Sequence, residues 1–108
     1  MARDIRRGEI RQYRFKSSDK LRPVLIISRQ EAIELLHTVM VAPITSTIHG
    51  APSELILGID EGLKNDSAIN FDHIQTVEKS KLHTFIGALS EERLERICRP
   101  LGIAVGCI

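Results

Sequence analysis

Apolar positions along the chain fall in short blocks separated by polar or Gly/Pro punctuation, the pattern of a small β-rich domain. Ile10, Tyr13 and Phe15 mark a first strand over Gly8–Phe15, imperfect in its alternation. The polar stretch from Lys16 to Lys20 predicts a loop. Pro23-Val-Leu-Ile-Ile27 carries no charge and is β-branched, which predicts a buried strand. Val39–Ile44 has the same character and should lie centrally in a sheet. Ser53–Ile59 alternates less cleanly and predicts a more exposed strand. Gly62–Asp66 has turn chemistry. Short strands follow at Ser67–Phe71, Gln75–Glu78 and Thr84–Leu89, with one helical turn at Asp72–Ile74.

Two helices are expected. Ser28 and Glu31 have capping-box spacing ahead of a short helix at about Arg29–Leu36. Ser90 is placed to cap a second, with Glu91 and Glu92 in the first turn, where the helix dipole favours acids. Leu94, Ile97, Cys98 and Leu101 then share one face, and Pro100 should kink or end that helix. An apolar tail, Ile103–Ile108, follows. These elements sum to an α+β, mostly β, domain: a small antiparallel sheet curled into a partial barrel with a C-terminal helix beside it.

Length adds one constraint: 108 residues make a single domain, 1–108. No apolar run approaches the roughly 20 residues of a membrane span, so no membrane role is expected. The charged start, MARDIRRGEIRQ, has no apolar stretch behind it, so no secretory signal is expected either. Two cysteines nine residues apart, Cys98 and Cys107, suggest small apolar residues in a reduced cytoplasmic protein rather than a disulfide or zinc framework.

Charge changes the picture more. The net charge is only +1, yet residues 1–22 hold eight basic groups against three acids, while the other 86 hold seven against eleven. A basic segment on an acidic body suggests a polyanion site at one end of the molecule.

No phosphate-binding glycine loop, zinc-protease motif or nucleophile elbow occurs. The four histidines, His37, His49, His73 and His83, are scattered, so no metal is expected. Two stretches carry more. In Leu21-Arg22-Pro23 the proline restricts Arg22 to extended backbone at the mouth of a buried strand. In Ala42-Pro43-Ile44-Thr45-Ser46-Thr47 three hydroxyls follow another buried strand. If the two strands are neighbours, a guanidinium and hydroxyls share a site suited to phosphate. Ser46 should point away from Thr45 if the strand continues.

The chain resembles the MazF/PemK family of toxin endoribonucleases. The carrying stretches are Arg7-Gly8-Glu9-Ile10, Arg22–Ser28, Val39–Ser46, Asp66–Asn70, Gln75–Lys79 and Gly87–Ser90, all in the family's order. The resemblance implies a small SH3-like, partly closed barrel, similar to that of the plasmid toxin CcdB. It implies a homodimer, an antitoxin partner with a disordered acidic segment, and no cofactor. The implied reaction is metal-independent, sequence-specific cleavage of single-stranded RNA. In it the ribose 2′-hydroxyl attacks the adjacent phosphate and leaves a 2′,3′-cyclic phosphate and a 5′-hydroxyl.

By the same resemblance the catalytic pair is Arg22 and Thr45, and RNA contacts fall on Phe71, Asp72, His73 and Gln75, unless Phe71 is core and the others plain polar surface; Lys20 and Ser46, adjacent to the pair's strands, are expected to join the RNA contacts. Arg22 suits stabilisation of the phosphorane's extra charge, whereas a guanidinium holds its own proton too tightly for efficient donation. Asp72 is suited to accept from an exocyclic amine, His73 to stack and Gln75 to read a base edge. The loop Lys16–Leu21 is shorter and more basic than is usual in the family. The alternatives are a gyrase-binding toxin of the same fold and an RNA-binding module without activity. The gyrase-binding relatives end in Trp-Gly-Ile, and this chain ends Val105-Gly-Cys-Ile108.

Overall fold

Strands that are apolar on both faces need cover on both faces, and the chain supplies it. A computed structural model describes residues 4–108; Arg3, counted above with the basic segment, lies outside them. The strands are β1 (Glu9–Tyr13), β2 (Arg22–Ile26), β3 (Thr38–Thr45), β4 (Glu54–Leu57), β5 (Ser67–Asn70), β6 (Gln75–Glu78) and β7 (Phe85–Ala88). They form one antiparallel sheet in the order β4-β5-β3-β2-β1-β7, with β6 joined to β3. The result is a mostly-β half-barrel with short helices.

β3 is the hub. One edge pairs with β2, while the other pairs with β6 over Thr38–Val41 and with β5 at Ile44 and Thr45. Pro43, which has no N–H to donate, sits where that outer partner changes, a place where a central strand tolerates proline. Alternation then splits β2 and β3 between two cores. Leu25, Ile27, Ala42 and Ile44 face one, with Phe71, Leu89 and Ile97. Val24, Ile26, Val39 and Val41 face the other, with Ile5, Ile33 and Val77. The expected central position of the 39–44 strand holds, except that Met40 is 43% exposed.

The first helix, α1 (Gln30–Leu35), buries Ile33 against the second core. Its expected capping box does not form: Arg29 is the N-cap and makes no side-chain cap bond. Ser28 is buried, and its Oγ instead accepts from the Met40 N–H at 2.8 Å. The buried Ser28 hydroxyl is used on the β3 backbone and not on the helix end, which water reaches.

At the C-terminal end the single expected helix is two. Ser90 Oγ accepts from the Arg93 N–H at 3.2 Å and caps α2 (Glu91–Glu95) as its sequence suggests. A turn at Arg96 and Ile97 then starts α3 (Cys98–Ala104). Pro100 does not end a helix. It is buried in the first turn of α3, where an N–H would have no intrahelical acceptor and its absence costs no bond. The break keeps Leu94, Ile97 and Leu101 on the first core but turns Cys98 outward. Cys107 is likewise exposed, and both thiols are free.

Smaller differences follow the same logic. β4 is shorter than Ser53–Ile59 because Ile59 opens a 3₁₀ turn, Ile59–Glu61, and is 77% exposed. The backbone N–H of Gly58 donates to Glu61 Oε1 at 2.8 Å and holds that turn. β6 and β7 do not pair with each other; a 3₁₀ turn at Lys79–Lys81 sends the chain from β3's edge to β1's.

Candidate functional site

The antiparallel register of β2 and β3 pairs Val24 with Pro43, Leu25 with Ala42 and Ile26 with Val41. Continued outward by two residues, it sets Arg22 across from Thr45. Both line one cavity of about 450 Å³ at the open end of these strands. Ser46 lines it too. β3 ends at Thr45, so the alternation that would have turned Ser46 away no longer applies.

Four further polar residues line the walls: Gln12 from β1, Lys64 and Asn65 from the 62–66 turn, and Ser67 at the start of β5. Sequence reasoning assigned none of them. The turn reaches the cavity because Gly62 adopts a left-handed φ of 93° and packs against β7. A Cβ on Gly62 would lie 2.6 Å from the Ile86 carbonyl oxygen, and one on Gly87 would lie 2.2 Å from that of Glu61. Only glycines allow this approach. Lys64 is thereby delivered by tertiary packing, which no local motif announces.

The electrostatics of the cavity are one-sided. Its lining contains Arg22 and Lys64 and not one Asp or Glu. Neither cation is in an ion pair among the described residues. Thr45 Oγ1 accepts from the Thr47 N–H at 3.1 Å. That bond uses the oxygen as acceptor and leaves the hydroxyl proton free to donate. Guanidinium, ammonium, hydroxyls and amides facing one space, unopposed by carboxylates, suit a phosphate group. A larger depression, about 780 Å³, is lined instead by Asp60, Glu61 and Asp66. Its arginine, Arg93, is already committed to the Ile56 carbonyl oxygen at 2.6 Å and to Glu61 at 3.6 Å. That depression repels a polyanion.

The described basic groups of the N-terminal segment do not form one patch. Arg11 is buried, pairs with Glu9 at 3.0 Å and lies over the Phe85 ring at 5.8 Å. Arg7 Nε donates to the Ile27 carbonyl oxygen. Among the described basic groups of that segment, Arg22 alone lines the cavity. Lys20 is exposed on the preceding loop and outside the cavity wall.

The other proposed RNA contacts form a separate ledge. Ala68 of β5 pairs with Thr45. Asn70 lies two residues further along β5, about 7 Å at the usual strand rise, and opens the 3₁₀ turn Phe71–His73. Ser53 Oγ donates to Asp72 Oδ2 at 2.5 Å, and the Phe71 N–H donates to the Ser53 carbonyl oxygen at 3.2 Å. Asp72 and His73 are exposed, and Gln75 is exposed at the start of β6. Phe71 is not available to a base: it is 2% exposed in the first core, with its ring used for packing. The apolar periodicity of β5 continues through it, which is the signal that it is core.

Fold and cavity together define a small antiparallel half-barrel protein with a carboxylate-free cationic cavity at one end of the sheet. Residues 6–105 match the family described as PemK-like, MazF-like toxin of type II toxin-antitoxin system. The chain belongs to that family. It is 40% identical over 88 residues, 80% of each chain, to a protein of Mycobacterium tuberculosis named "Probable endoribonuclease MazF5". The solved structure of "Mycobacterium tuberculosis toxin MazF-mt6" superposes with a TM-score of 0.84 at 31% identity, over 93% of this chain and 98% of that one. A structure titled "Endoribonuclease in complex with its cognate antitoxin from Mycobacterial species" also superposes with a TM-score of 0.84, at 22% identity over 96% and 97% of the two chains. At that identity the likeness speaks for the fold alone.

Proposed function

We propose that this chain is the toxin of a type II toxin–antitoxin pair and cleaves single-stranded RNA in the cytoplasm without a metal. The observation that carries this is the meeting of Arg22 and Thr45 in a cavity free of carboxylates. Family membership supplies the reaction class.

A scissile phosphate in the cavity accepts hydrogen bonds from the Arg22 guanidinium and the Thr45 hydroxyl, with Ser46 and Lys64 beside them. The 2′-oxygen attacks phosphorus and gives up its proton to solvent. The bond from phosphorus to O5′ breaks, and O5′ takes a proton from solvent. The phosphorane carries one charge more than the ground state. Donors fixed in place before the reaction favour it over the substrate. Arg22 is held for this by extended backbone ahead of Pro23.

Bases flanking the phosphate lie along the ledge, where Asp72, His73 and Gln75 contact their edges. Lys20 supports the backbone from outside. An acidic, disordered segment of an antitoxin competes for the same cations. The protein acts as a homodimer. Its support is residual apolar exposure, including Val105 at 62% and Ile108 at 63%. The two faces of β2 and β3 add only Met40, since both are otherwise covered within the chain.

The test is to incubate the protein with mixed-sequence single-stranded RNA in excess EDTA and map the fragment ends. A 5′-hydroxyl and a 2′,3′-cyclic phosphate are expected. A 5′-phosphate, or cleavage abolished by EDTA, contradicts the mechanism.

A further inference from the structure

The ledge contains a hydrogen-bond relay whose direction is fixed by chemistry. Asn70 Oδ1 accepts from the Asp72 N–H at 2.9 Å. A backbone N–H only donates, so the amide atom facing it is the oxygen. The amide nitrogen therefore faces the other way, and Asn70 Nδ2 lies 3.0 Å from His73 Nδ1. An amide NH₂ only donates as well. His73 Nδ1 must then be the acceptor and carry no proton, and the ring proton of a neutral imidazole sits on Nε2.

The amide cannot turn over without placing its NH₂ against the Asp72 N–H. The turn that carries both residues is anchored by buried Phe71 and by the bond from Ser53 to Asp72. His73 is itself exposed and makes no other hydrogen bond among the described residues, so its Nε2 edge is open to a ligand.

We propose that Asn70 is a positioning residue that locks His73 in the Nε2–H tautomer. His73 then presents a hydrogen-bond donor and selects an acceptor atom on an RNA base, a carbonyl oxygen or an unprotonated ring nitrogen. This makes the ring edge, rather than its face, the reading element. The tautomer lock stands on the geometry alone; the identification of RNA as the ligand rests on the ribonuclease reading above.

The experiment is a long-range proton–nitrogen NMR correlation of the imidazole rings in full-length protein, at a pH where His73 is neutral. The wild type should show a single Nε2–H tautomer for His73. Asn70→Asp keeps an oxygen for the Asp72 N–H but presents an acceptor to Nδ1, so it should move the proton to Nδ1. Asn70→Ala should give a tautomer mixture. A mixed wild-type tautomer, or an Asn70→Asp variant still protonated at Nε2, overturns the lock.

For base reading, the same resonances are followed while short randomised single-stranded RNA is added. The Nε2–H signal should shift in the wild type, and Asn70→Asp should change the base preference at one position of the bound or cleaved sequence. Ring signals unmoved by saturating RNA, or an unchanged preference, overturn that half. Wild-type protein that binds RNA through His73 but never cuts it counts against the ribonuclease reading and not against this one.

Discussion

Arg22 and Thr45 stand across from each other at the open ends of two neighbouring antiparallel strands and line one cavity. The register that pairs Val24 with Pro43 fixes this juxtaposition through the backbone, so it does not depend on a flexible loop. Sites built on strands hold their groups more tightly than sites built on loops.

Thr45 contributes a donor hydroxyl whose oxygen is held by the Thr47 N–H. A hydrogen bond to a charged group is worth about 1.5–3 kcal/mol, so Thr45→Val should slow cleavage roughly 10- to 100-fold. Thr45→Ser should retain most of the rate. Single-turnover kinetics with a short RNA decide between them, and equal rates for the two variants exclude the hydroxyl from the reaction.

Lys64 lines the same carboxylate-free cavity as Arg22. Lys64→Ala should weaken RNA binding and reduce the slope of log affinity against log salt by about 0.7, one phosphate contact on a single strand. Binding titrations at several salt concentrations measure it. An unchanged slope removes Lys64 from the RNA path.

Phe71 packs the core. Phe71→Ala should destabilise the fold by about 3–5 kcal/mol, read as a lowered midpoint in urea. A base-stacking role would predict the reverse: weaker RNA binding at unchanged stability.

Ser28 separates two local accounts of the α1 start. Ser28→Ala leaves the half-buried Met40 N–H without its partner and should cost about 1 kcal/mol, whereas Glu31→Ala should fall within about 0.5 kcal/mol. Comparable losses for the two would restore the capping box.

These cases show what was legible in the sequence and what was not. β2 and β3 announced themselves because alternation places Val24 and Ile26 in one core and Leu25 and Ile27 in the other, which leaves an uninterrupted apolar run. Arg22 and Thr45 were legible because each abuts such a run. Lys64 was not, because the approach of Gly62 and Gly87 that delivers it is a contact between residues far apart in the chain. Pro100 is ambiguous in the sequence because proline at a helix start and proline inside a helix look alike without the turn at Arg96 and Ile97. Charge counting overestimated the basic segment because Arg7 and Arg11 are spent on a carbonyl oxygen and on Glu9.

The central claim is that Arg22 stabilises charge on a cleaving phosphate. It is tested most directly by single-turnover cleavage of one RNA, in EDTA, by the wild type and Arg22→Ala. Arg22 is exposed and in no ion pair among the described residues, so its removal should leave the fold and its unfolding midpoint unchanged. The rate should fall by at least roughly 100-fold, the usual effect of losing one preorganised donor to transition-state charge. A folded Arg22→Ala protein that cleaves within about threefold of the wild type, about 0.6 kcal/mol in barrier, would contradict the assignment.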